Sequence, residues 1–208
     1  SSIDRHGRYA YGNQPGVAQW NLTRFAETLL SLIDPDEKRA IEIATEALET
    51  FAHRYQHHWL AGLRRKLGLF NEEAGDATLI DALLAWMDEA KADFTNTFAD
   101  LERELRPEDP RHANEGFLHW HTRWLHRLQR QPQSPAESDA LRRAHNPAFI
   151  PRNHLVEAAL GAAEHNDPSV MKRLLDVLAT PYDHSRQAPE HRSPAPASDR
   201  CYQTFCGT

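Results

Sequence analysis

The sequence predicts an all-α fold, and three observations carry that prediction. Apolar residues recur at helical spacing through most of the chain, acceptors and prolines stand where helices should start, and no convincing run of period two appears. Residues 1–16 read as an irregular segment, because three of the nine glycines, with Asn13 and Pro15, fall in SSIDRHGRYAYGNQPG. From Val17 onward Ala18, Leu22, Phe25, Ala26, Leu29 and Ile33 trace a first amphipathic helix that ends near Asp34. Asp34, Pro35 and Glu37 form the start of a second, whose stripe runs from Ile41 through Leu48, Phe51, Tyr55 and Trp59 to Leu63. Gly68 suits its left-handed C-terminal position.

A third helix opens at Asp76, and its apolar period continues through Phe94 and Phe98 to Leu105, where Pro107 and Pro110 end it. Phe117, Trp120, Trp124, Leu125 and Leu128 mark a fourth stripe. Ser134-Pro135-Ala136-Glu137 is a capping box that opens a short fifth helix. Helical periodicity resumes from Leu155 to Ala163, and Asp167-Pro168 starts a last helix through Leu178. After Pro181 the chain is too polar and proline-rich for a core and reads as an extended or disordered tail. The expected organisation is therefore a loop over 1–16, a helical domain over 17–180 and a tail over 181–208.

Composition excludes several function classes. With 24 Lys and Arg against 30 Asp and Glu, the net charge of −6 opposes a nucleic-acid binder, which needs a basic excess. No apolar run approaches the roughly 18 residues of a membrane span, so no membrane is expected. Both cysteines, Cys201 and Cys206, fall in the last eight residues and cannot staple a core, which points to a reducing, cytoplasmic setting. His53 and His57 stand at i,i+4, with His58 adjacent and His119 and His121 further on, but Arg54 takes the place of the glutamate that a zincin helix uses as general base, and these histidines are expected at surface or cap positions. The glycines are too scattered for a phosphate-cradling loop, and no G-x-S-x-G elbow is present. Glu72, Glu73 and Asp76 lie in a turn without a companion motif and read as solvated acids. Arg64-Arg65-Lys66 suits a helix C-terminus by charge, and all five tryptophans stand at core positions of their helices.

The segment DRHGRYAYGNQPGVAQWNLTRFAETLLSLI, from Asp4 to Ile33, resembles the selenoprotein O family, the kinase-like protein adenylyltransferases also known as YdiU proteins. ADFTNTFADL from Ala92 to Leu101, NPAFIPRNHLVEAAL from Asn146 to Leu160, Pro181-Tyr182 and the terminal YQTFCGT follow in the family's order. The resemblance implies the helical C-lobe of a protein kinase-like fold. It also implies transfer of AMP from ATP, with Mg²⁺ or Mn²⁺, to Ser, Thr or Tyr hydroxyls of protein substrates. The family's catalytic Asp and its metal-binding Asn and Asp precede the GRYAY segment, so no catalytic, metal or cofactor-binding residue is carried over to this chain. A missing N-terminal nucleotide-binding lobe is the implied partner, and the chain alone is expected to be inactive.

Arg8, Tyr9, Tyr11, Gln14 and Pro15 match the segment that follows the family's metal site, which makes them candidates for the cleft wall or the substrate approach. Anchoring a loop on the helical lobe is an equally good account of them. Arg152, Asn153 and His154 match the family's PRNH, with Asn153 a natural N-cap. Cys206 matches the near-terminal redox position, where the family carries cysteine or selenocysteine. The rival reading is a free-standing helical interaction module without catalysis.

Overall fold

The computed structural model describes residues 4, 6–8, 10–105 and 109–195. Among them are eight α-helices and no strand: α1 Gln14–Ile33, α2 Glu37–Lys66, α3 Asp76–Glu89, α4 Phe94–Ala99, α5 Glu115–Leu128, α6 Pro135–His145, α7 Asn153–Glu164 and α8 Ser169–Leu178. Short 3₁₀ turns occupy Tyr11–Asn13, Pro110–Ala113 and Pro189–His191. The chain divides into two units, the described residues up to Ala61 and those from Gly62 onward, and the division falls inside α2.

Helix α1 begins at Gln14, earlier than the apolar period suggests, because Pro15 fits the first turn, where its missing N–H costs nothing. The start of α2 is also capped differently from the sequence expectation. Asp36, rather than Asp34, accepts from the Lys38 and Arg39 N–H groups at 2.9 and 3.3 Å, while Asp34 accepts from Asp36 N–H at 2.9 Å. The end of α2 follows from Gly68, whose φ of +75° lets Gly68 N–H reach Arg65 O at 3.0 Å and Leu69 N–H reach Arg64 O at 2.9 Å. A Cβ at position 68 would lie 2.8 Å from Ser138 O, so the close approach of α6 demands glycine as much as the φ does.

The expected continuous helix from Asp76 to Leu105 is instead two helices. Lys91 turns left-handed at φ 51°, Ala92 N–H bonds back to Met87 O at 2.9 Å, and α3 stops. Asp93 then caps α4 by accepting from Asn96 N–H at 2.8 Å. The apolar period crosses this break because residues on both sides, Met87 and Phe98, are buried.

The second unit carries the core. Helices α3 and α5 pack together, burying Leu79, Ile80 and Leu83 with Phe117, Trp120 and Trp124. The Trp120 and Trp124 rings are parallel within 6° at 6.0 Å, and each indole N–H finds a carbonyl, Leu79 O at 2.8 Å and Leu67 O at 2.9 Å. Trp20 departs from the sequence expectation, standing on α1 at 51% exposure.

The expected capping box forms at Ser134 and Glu137. At α7 the N-cap residue is Arg152 rather than Asn153, and no side chain caps it, because Arg152 is committed elsewhere. Helices α7 and α8 pack as a pair, and beside them Ala148, Phe149, Val177 and Ala188 form a buried cluster. Pro181 O accepts from Ala148 and Phe149 N–H at 2.8 and 3.2 Å.

Candidate functional site

The residues matched at the sequence level lie at the start of the first unit. Gly7, at φ +64°, turns the chain so that Asp4 accepts from Arg8 N–H at 2.7 Å and Gly7 O accepts from the Asn13 amide at 2.8 Å. The turn carries Arg8 over the Trp20 ring at 4.7 Å, and Arg24 approaches the same ring at 5.7 Å. Tyr11 is 69% exposed, Gln14 is exposed, and Pro15 enters the first turn of α1. Arg8, Tyr11, Gln14 and Pro15 thus share one turn and helix start, held to α1 by the cation over Trp20. Tyr9 and Cys206 lie outside the described residues.

In the second unit a cleft of about 410 Å³ opens between Trp86, Asp93, Asn96, Asp100 and Arg111. Three of its acids, Asp93, Asp100 and Asp109, are held by arginines. Arg152 donates to both Asp93 oxygens at 2.8 and 3.1 Å and to Asn96 Oδ1 at 3.2 Å. Arg192 pairs with Asp100 at 2.5 Å, and Arg111 pairs with Asp109 while donating to Asp100 O at 2.8 Å. Burial works to raise the Asp93 pKa. The Arg152 guanidinium and the Asn96 N–H outweigh it and hold the carboxyl below its ordinary range. Asp93 is thus an ionised, arginine-paired carboxylate at neutral pH, and its pairing braces the start of α4 against the start of α7.

The words that carry the family resemblance meet here. Asp93 and Asn96 belong to ADFTNTFADL, and Arg152 to the PRNH of the second word. Asn146, which opens that word, is 1% exposed and donates to Lys66 O at 2.8 Å, while its own Oδ1 accepts from Lys66 Nζ at 3.2 Å. Burial lowers the Lys66 pKa. The expectation of solvated acids in this turn holds for Glu72, which is exposed, and fails for Asp76, which is fully buried because two arginines enclose it. Arg64 Nε donates to it at 2.7 Å and Arg127 Nε at 2.6 Å, and Glu73 N–H adds a third bond at 2.9 Å. The basic end of α2 therefore serves a buried pair through Arg64.

No three His, Cys, Asp or Glu side chains converge among the described residues, and the cleft's Asp93, Asp100 and Asp109 are turned onto arginines. Among the described residues no helix is long and apolar enough to cross a membrane.

Comparison with known proteins agrees with the words. The family model described as protein adenylyltransferase SelO matches residues 1–179. The protein nucleotidyltransferase YdiU of Alcanivorax borkumensis is 51% identical over 209 residues, covering 100% of this chain and 43% of that protein. Its counterparts in Syntrophotalea carbinolica and Halalkalibacterium halodurans are each 50% identical, again over 100% of this chain and 42% of theirs. The chain spans less than half the length of these relatives.

Proposed function

We propose, from the premise that this chain belongs to the protein adenylyltransferase SelO family, that it forms the helical C-lobe of a kinase-like enzyme that moves AMP from ATP to Ser, Thr or Tyr hydroxyls of proteins. The observation that carries this reading is a family match over residues 1–179 in a chain that covers only 42% to 43% of its relatives. The remaining part, which the resemblance places ahead of Ser1, supplies the nucleotide site and the residues for Mg²⁺ or Mn²⁺. Asp76, Asp93 and Asp100 are each paired with arginine, in keeping with a supporting lobe. Arg8, Tyr11, Gln14 and Pro15 shape the protein substrate's approach, and Cys206 is the redox-responsive position.

Equilibrium dialysis against radiolabelled ATP tests the division of labour. No retention is expected with the chain alone, and retention is expected once the remaining part of a family member is co-expressed with it. Retention by the chain alone would move the nucleotide site into these residues.

A further inference from the structure

Among the described residues up to Ala61, only Ala40 and Ala44 are buried, although α1 runs for 20 residues and α2 for 30. Helices of such length draw most of their stability from packing an apolar face. Leu22, Phe25, Leu29 and Leu32 follow one another at spacings of three, four and three, which sets them on one face of α1. Leu22, Phe25 and Leu32 are 41%, 60% and 81% exposed. The bare stripe belongs to the first unit, since the long stripe of the second, Phe117, Trp120 and Trp124 on α5, is buried.

We infer that the Leu22, Phe25, Leu29 and Leu32 face of α1 is the seat of the rest of the family polypeptide, received through an apolar surface of that missing part. The inference rests on the family reading above. Its occupant follows from length: the chain is 42% to 43% of its relatives, so more than half of such a protein has still to be placed. A covalently linked partner meets the stripe at high effective concentration, an advantage a second copy lacks. Beside the stripe, Arg24 and Glu27 neutralise each other at 2.6 Å, so the rim offers no single-sign charge to a lipid surface or a nucleic acid.

The test compares backbone hydrogen exchange over residues 22–32 in this chain alone and in a chimera where it replaces the matching part of the Alcanivorax borkumensis protein. Slowing of at least tenfold in the chimera is expected. Phe25→Glu with Leu32→Glu should reverse it, whereas Leu175→Glu, at a 60% exposed position of α8, should not. Equal exchange in both proteins would overturn the inference. So would slow exchange in the isolated chain that grows with concentration and vanishes in the double variant, which would assign the stripe to a second copy. AMP transfer by the same chimera is scored separately. Protection without transfer would retain the surface and remove the enzymatic reading, while transfer without protection would remove the surface alone.

Discussion

Replacing Asp76 by alanine is expected to destabilise the second unit by about 3–5 kcal/mol, the range for removing one member of a buried ion pair. Asp76 has no exposed surface and Arg127 only 2%, so the substitution leaves the Arg127 and Arg64 guanidinium groups without their shared counter-charge. The loss is large against the roughly 5–15 kcal/mol that stabilises an ordinary domain. It should appear in urea unfolding followed by tryptophan fluorescence, because Trp120 and Trp124 sit in the same unit. A cost below about 1 kcal/mol would show that the cluster is solvated in solution. The pH dependence has a fixed sign. Burial acts to raise the Asp76 pKa, but the Arg127, Glu73 N–H and Arg64 bonds win and lower it. Its contribution is therefore complete above the ordinary carboxylate pKa of about 3.9 and is lost as pH falls through the lower folded value.

Arg152→Ala carries the second large effect, about 1.5–3 kcal/mol, the range for hydrogen bonds to a charged group. Arg152 is 8% exposed and spans from the start of α7 to Asp93 and Asn96 at the start of α4. Deleting it strands a partly buried carboxylate. Since Arg152 holds the Asp93 pKa down, the wild type's advantage over the variant should be constant at neutral pH and shrink as pH falls below about 4. A double-mutant cycle with Asp93→Ala isolates the pair. Strict additivity of the two substitutions would contradict the brace.

The helices were legible because periodicity and caps are local. Gly68 and the Ser134 box could be placed from neighbouring residues alone. The break at Lys91 was not, since a left-handed lysine has no signature and the apolar period runs across it. Arg152 and Asp93 lie 59 positions apart, and one sequence holds no information on which distant charges pair. The same limit hid the burial of Asp76, whose enclosing Arg127 stands 51 residues away. Trp20 shows a further limit, for periodicity identifies an apolar position without saying what covers it.

The candidate site divides in the same way. The resemblance located Arg8, Tyr11, Gln14 and Pro15 together, and the structure adds what recruits Arg8 to α1, the ring of Trp20 at 4.7 Å. It also gives the family words a physical role. ADFTN and PRNH meet as Asp93, Asn96 and Arg152, and NPAF meets Pro181, so these words hold the helices in register.

The most direct test of the family role is transfer of radiolabelled AMP from ATP to protein, measured on this chain alone and on the chimera that joins it to the remaining part of the Alcanivorax borkumensis relative. The account predicts no label from the chain alone and label on protein hydroxyls from the chimera. Label from the chain alone would place the chemistry within these 208 residues. A folded chimera that transfers nothing would leave the helical interaction module as the better description.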